Sequence, residues 1–119
     1  MNYLLIFIGG GLGSIARYLV SSSTFLKFEH SYITGIIVVN VVGSFIIGIL
    51  AGMGLRNNDI MNPLLLIGFL GGFTTFSSFS LEAVHIFSSG KYFDGVLYIL
   101  SSVIFSLLGT LIGLKLLAN

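Results

Sequence analysis

The sequence predicts an all-α integral membrane protein with four transmembrane helices. Of its 119 residues, 55% are hydrophobic and 8% are charged, and the mean hydropathy is +1.09. Soluble domains carry about 25% charged residues, so a chain of this size could not hide its apolar surface from water. Four apolar segments each reach the roughly 20 residues that a spanning helix needs. We therefore expect residues 1–119 to form a single four-helix membrane domain.

The predicted helices are separated by short polar turns. They cover about residues 3–25, 32–55, 63–88 and 93–117. The first segment contains a single charge, Arg17, and the second contains none. Pro63 suits the first turn of the third helix, where its missing amide would have no partner. Because the connections are short, consecutive helices are expected to pack as antiparallel neighbours.

The third segment contains the most irregular stretch of the chain, GFLGGFTTFSSFS at residues 68–80. Glycine in a helix costs about 1 kcal/mol relative to alanine. In lipid, irregular backbone survives only where it is buried in protein or lines a water-filled path or ion site. Gly71 and Thr74 lie about 12 to 17 Å into the segment. We predict that the third helix is broken near the membrane midplane, with the backbone open between these residues.

Polar residues inside the apolar segments mark a candidate conduction path. Tyr98, Ser102 and Ser106 recur every four residues and so share one face of the fourth helix. A single serine can bond back to its own helix, but three aligned hydroxyls favour a path for an ion. Asn40 lies about 12 Å into the second segment and offers donors and an acceptor. A hydrogen bond between helices is the alternative for a lone asparagine in the membrane.

The third segment adds aromatic rings and hydroxyls. Phe76 and Phe79 share one helical face, and Ser77 and Ser80 share another. Packing in lipid would explain two phenylalanines, but ring edges also carry weak positive charge that can contact an anion. Donors without a full charge beside them would lower the barrier for a small anion without trapping it.

The Lys and Arg residues do not fix the membrane orientation. Four spans place both termini on one side with Arg56 and Lys115, while Lys27 and Lys91 lie on the other. Arg17 joins the second group if it snorkels that way. Its guanidinium could also cap carbonyls or attract anions at a vestibule of the pore, and the structural role is preferred over the vestibule. Such a balance fits either a small protein with few charges or insertion in both orientations.

Four helices barely enclose a polar path, so a pore needs a second subunit.

Three motifs are similar to the signatures of the Fluc (CrcB) fluoride channels. They are GGGLGSIARY at residues 9–18, VNVVGSF at 39–45 and GFLGGFTTFSSF at 68–79. With their order and the four spans, the resemblance covers the whole chain. It implies a multi-pass protein of the cell inner membrane or plasma membrane, which passively exports cytoplasmic fluoride. The implied assembly is an antiparallel, dual-topology homodimer with two pores and a structural sodium ion at its centre.

The resemblance also implies which residues form the pore. Asn40 corresponds to the pore asparagine, and Phe76 and Phe79 to the phenylalanines whose ring edges contact fluoride. Tyr98, Ser102 and Ser106 match the polar track of the family's fourth helix. The hydroxyls of Ser77 and Ser80, found from the third segment itself, are also expected along the pore. One departure concerns Ile36, which stands where the family often has a threonine that could orient Asn40.

The resemblance assigns the sodium ion to backbone oxygens. Gly71 and Thr74 match the residues whose carbonyls hold sodium, and Arg17 matches the arginine of the first helix. In an antiparallel dimer the two-fold axis lies in the midplane, so two carbonyls from each subunit would become four ligands. Oxygen ligands suit a hard cation.

Three other functions are weaker. A small dual-topology, proton-coupled exporter of drugs or cations would need an acidic residue in the first helix, which has none. A non-transporting assembly subunit would not explain the hydroxyls opposite a broken helix. An enzyme is disfavoured because the sequence shows no nucleophile–base pair or metal-ligand cluster. The net charge of +1 gives no indication of nucleic-acid binding.

Overall fold

The computed structural model describes residues 2–22 and 31–117, and all the regular elements in those ranges are helical. In chain order the elements are α1 (Asn2–Ser21), α2 (Ser31–Gly52), a 3-10 turn (Leu55–Asn57), a π-helix (Asn62–Phe69), α3 (Leu70–Phe73), α4 (Ser77–Ser88) and α5 (Tyr92–Leu117). The predicted all-α fold is confirmed. The predicted end of the first helix at residue 25 and the charged loop at 27–30 lie outside the described residues.

Within the described ranges, four stretches are long and apolar enough to cross a membrane. They are Asn2–Ser21, Gly35–Gly52, Asn62–Ser88 and Tyr92–Leu117. The third stretch combines the π-helix, α3 and α4, so one predicted helix corresponds to three helical elements. The chain is a multi-pass membrane protein with four spans, as the hydropathy pattern predicts.

The third span begins as a π-helix, which the sequence pattern does not predict. Pro63 lies in its first turn and is buried, as expected for a residue without an amide donor. At the far end the Leu70 amide donates to the Leu65 carbonyl, the five-residue spacing of a π-helix. π-Helical segments are rare, and those that occur are frequently found at functional sites.

The third span is interrupted in its middle. α3 ends at Phe73, Thr74 is extended with φ −82° and ψ 159°, and α4 begins at Ser77. The predicted break is therefore present, but it lies at residues 74–76. The expectation that the backbone opens at Gly71 is corrected, because Gly71 and Gly72 are helical residues of α3.

Close packing, rather than a break, accounts for several glycines. A Cβ at Gly72 would collide with the Gly10 carbonyl oxygen of α1. On the other side of this contact, a Cβ at Gly13 would collide with the Phe69 carbonyl oxygen. Small residues thus let α1 approach the backbone of the third span, as is common in membrane helices.

The remaining contacts place the functional elements. α2 packs along α5 in the most extensive helix pair, while α1 packs against the π-helix and α3. A buried apolar cluster joins α2, α4 and α5, and consists of Ile36, Phe79, Ala83, Ile86 and Tyr98. The break between α3 and α4 therefore faces the seam between α2 and α5.

Candidate functional site

A cavity of about 450 Å³ lies where the helix break meets α2 and α5. Most of the predicted site residues contribute to its wall. Those that line it are Asn40, Gly71, Thr74, Phe76, Phe79, Ser102 and Ser106. Residues far apart in the chain, from three different spans, are thus brought together around one space.

Asn40 holds the helix break through two hydrogen bonds to one peptide unit. The Thr75 amide donates to Asn40 Oδ1 over 2.8 Å, and Asn40 Nδ2 donates to the Thr75 carbonyl over 3.0 Å. The side-chain amide therefore replaces the helical partners of a residue inside the gap. Since Nδ2 carries two hydrogens, one N–H of Asn40 remains for another acceptor. Ile36, one turn earlier on α2, has no hydroxyl that could orient Asn40, so the contact with the Thr75 backbone orients it.

The break releases two carbonyls from the helical ladder. In a continuous helix the Thr75 amide would donate to Gly71 and the Ser78 amide to Thr74. Here the first donates to Asn40, and the second donates to Thr75 Oγ1 over 3.1 Å. The regular donors of the Gly71 and Thr74 carbonyls are thus used elsewhere. Two backbone oxygens beside the cavity are free to act as ligands for a hard cation.

The α5 wall contributes hydroxyls to the cavity. Ser102 is only 4% exposed, and its Oγ makes no hydrogen bond within the part of the chain that the structure describes. A buried hydroxyl without a partner is costly, so an acceptor in the cavity would stabilise it. Ser106 lies one turn further along and is half-buried.

The two phenylalanines differ in how far they are buried. Phe79 is 8% exposed, whereas Phe76 is 78% exposed in the single chain. Their ring centroids are 5.6 Å apart with the planes tilted by 55°. Phe79 also stacks on Tyr98 with a centroid separation of 5.3 Å. The pair forms a wall that continues from the cavity to an exposed surface.

The other predicted residues lie away from this cavity. Tyr98 instead lines a second cavity of about 480 Å³ between α4 and α5, together with His85, Lys91 and Asp94. Phe79, which lines the first cavity, stacks against Tyr98, which does not. This arrangement divides the predicted hydroxyl stripe of α5 between two spaces.

Three further predicted residues have other neighbours. Ser77 and Ser80 are exposed and do not line the first cavity. Arg17 Nε donates to the Gly72 carbonyl over 3.1 Å, which satisfies a backbone group close to the break. The contact is of the carbonyl-capping kind expected for a structural Arg17, and its role in the channel stays a prediction.

Sequence reasoning missed two polar residues of the site, Thr75 and Ser44, which both line the cavity. Nothing in the sequence marks Thr75, because its role depends on where the helix breaks. Ser44 had a signal, since it follows Asn40 by four residues and so shares its face of α2. Thr110, which continues the α5 stripe in sequence, donates its hydroxyl to the Ser44 carbonyl over 3.0 Å.

The sequence matches known proteins over nearly its full length. Residues 4–114 match the family model described as CrcB-like protein, Camphor Resistance (CrcB). The chain is 44% identical over 117 residues to a protein of Coxiella burnetii (strain Dugway 5J108-111) named fluoride-specific ion channel FluC, covering 95% of this chain and 94% of that protein. It is 38% identical over 119 residues to fluoride-specific ion channel FluC 1 of Staphylococcus aureus (strain bovine RF122 / ET3-1), covering 98% and 96%. The chain therefore belongs to the CrcB family.

Proposed function

We propose that this protein is a passive, fluoride-selective channel that lets cytoplasmic fluoride leave the cell. The relatives from Coxiella and Staphylococcus carry the name of fluoride-specific ion channels. The observation that carries the proposal is the cavity at the helix break. It combines the amide of Asn40 with the buried hydroxyl of Ser102, and none of the described residues that line it is charged.

These donors can replace the water around a small anion. Fluoride would accept the second N–H of Asn40 and the hydroxyls of Ser102 and Ser106. Conduction requires binding strong enough to admit the ion and weak enough to release it. Neutral donors meet this requirement, because a full positive charge in a low-dielectric site would hold the anion too tightly. The ring edges of Phe76 and Phe79 supply further weak positive charge.

The working unit in this proposal is an antiparallel, dual-topology homodimer with two pores. Phe76, Ser77 and Ser80 are exposed in the single chain. Exposed hydroxyls in the middle of a membrane span are costly in lipid, so a second subunit that covers them is favoured. Its surface would also close the cavity on the side of Phe76.

A sodium ion would stabilise the centre of this dimer. The Gly71 and Thr74 carbonyls have lost their regular helical donors and would supply oxygen ligands. Two subunits related by a two-fold axis would provide four such oxygens, which suits a hard cation. The sodium ion would tie the two helix breaks together.

A flux measurement in liposomes tests the proposed function. The purified protein is reconstituted in vesicles loaded with potassium fluoride or potassium chloride, and valinomycin is added to carry the compensating potassium. An ion-selective electrode should record rapid fluoride efflux and chloride efflux close to that of protein-free vesicles. Equal fluxes of both anions, or no fluoride flux, would refute the proposal.

A further inference from the structure

A second row of polar groups lines the cavity opposite α5. Asn40 and Ser44 lie one helical turn apart on α2, and both border the same space as Ser102 and Ser106. The two helices thus present one amide and three hydroxyls to a common volume. Of the residues in this α2 row, the conduction path predicted from the sequence includes Asn40 alone.

The backbone around Ser44 is held firmly against α5. Thr110 Oγ1 donates to the Ser44 carbonyl over 3.0 Å, which links the two helices at this level. One turn further along α2, a Cβ at Gly48 would collide with the Thr110 carbonyl oxygen. Because Thr110 follows Ser106 by one turn, these contacts fix the height of Ser44 relative to Ser106. Sites held on rigid helices position their groups well.

The Ser44 hydroxyl is free to donate into the cavity. Serines in membrane helices commonly bond back to a carbonyl of the preceding turn. Ser101 does so in this protein, since its hydroxyl donates to the Tyr98 carbonyl over 3.2 Å. For Ser44, no hydrogen bond of the hydroxyl occurs within residues 2–22 and 31–117, where Thr110 engages only its carbonyl. Its proton is available to an acceptor in the cavity.

We infer that Ser44 is a further fluoride-contacting residue, which donates its hydroxyl to the anion one turn beyond Asn40. The anion would pass between donors on both helices instead of following α5 alone. After the ion leaves Asn40, the hydroxyls of Ser44 and Ser106 would together replace the water around it. This inference rests on the proposed channel function, and it adds one residue to those that would make the channel selective for fluoride.

The test compares serine variants in the fluoride flux assay. Ser44→Ala should lower fluoride flux by about tenfold, the effect of losing one hydrogen bond to a charged group, and should reduce the ratio of fluoride to chloride flux. Ser44→Thr keeps the hydroxyl and should retain flux within about threefold of the parent. Ser101→Ala is the matched control, because that hydroxyl already bonds to its own helix, and its flux should be unchanged.

The outcomes separate this inference from the proposed function. If the parent protein conducts fluoride and Ser44→Ala shows the same flux and selectivity, the role of Ser44 is overturned while the proposed channel function is not. Absence of fluoride flux in the parent would overturn both. If Ser44→Ala does not assemble, Ser44→Cys keeps the shape with a weaker donor and should conduct less than Ser44→Thr. Equal flux in those two variants would again overturn the inference.

Discussion

The side-chain amide of Asn40 pairs with the peptide unit of Thr75, donating to its carbonyl over 3.0 Å and accepting from its amide over 2.8 Å. One side chain on α2 thereby keeps the third span open at its middle. The same contact frees the Gly71 carbonyl from its regular donor and leaves one Asn40 N–H for an anion. A single residue connects the shape of the backbone to both proposed ion sites.

Replacing Asn40 by aspartate separates shape from donor chemistry. Asn40→Asp is nearly isosteric, but an ionised carboxylate has no proton to give to the Thr75 carbonyl and repels an anion. We expect fluoride flux to be abolished and the free energy of unfolding to fall by about 1–3 kcal/mol. Flux in liposomes and chemical unfolding in detergent measure the two effects. Asn57→Asp, at an exposed turn, controls for the added charge, and normal flux in Asn40→Asp would refute the assignment.

The ring of Phe76 can be tested without disturbing the fold. Phe76 is 78% exposed in the single chain, so Phe76→Ile should preserve folding and dimerisation while it removes the ring edge. We expect fluoride flux to be lost, as measured with the electrode, and the dimer to persist in cross-linking. Phe93→Ile is a suitable control, because Phe93 is 75% exposed and lines neither cavity. Undiminished flux in Phe76→Ile would exclude Phe76 from the pore.

The close approach of α1 to the third span predicts strongly different effects at neighbouring glycines. A Cβ at Gly13 would collide with the Phe69 carbonyl oxygen, whereas a Cβ at Gly11 meets no atom within 4 Å. Gly13→Ala should lower the free energy of unfolding by about 1–3 kcal/mol, as overpacking does. Gly11→Ala should leave it unchanged or slightly raised. Equal unfolding midpoints for the two variants would contradict the helix packing.

Arg17 supports the region of the break from α1. Its Nε donates to the Gly72 carbonyl over 3.1 Å, so Arg17→Ala should destabilise the protein by about 1.5–3 kcal/mol, the range for bonds to charged groups. Fluoride flux per folded dimer should fall less than in Asn40→Asp, because Arg17 does not line the cavity. Arg56→Ala, at an exposed turn, is the matched control and should change the free energy of unfolding by less than about 0.5 kcal/mol. A loss of flux with unchanged stability would instead assign Arg17 to the vestibule.

Hydropathy was sufficient to predict the four spans, because membrane helices need long apolar runs and little else. The break in the third span was also predictable from its glycines and hydroxyls, but its position was not. Gly71 and Gly72 remain helical, since a glycine weakens a helix without opening it. Asn40 bonds to the Thr75 peptide inside the gap, and such a contact between distant residues has no local signal.

The faces of the helices near the break were harder to predict. A continuous third helix would group residues by regular spacing, but the interruption turns α4 relative to α3. Ser77 and Ser80 therefore point away from the cavity that Phe79 lines. On α5 the spacing was correct, yet the stacking of Phe79 on Tyr98 places Tyr98 in another cavity. Aromatic packing between spans decided this placement.

The measurement that tests the central claim most directly is the reversal potential of the channel in a planar lipid bilayer with different fluoride concentrations on the two sides and chloride present as the competing anion. If the neutral donors around Asn40 and Ser102 select fluoride, the current should reverse near the potential set by fluoride alone. The reversal potential should stay there when the chloride concentration is changed. A reversal potential that follows chloride would contradict selection by this cavity.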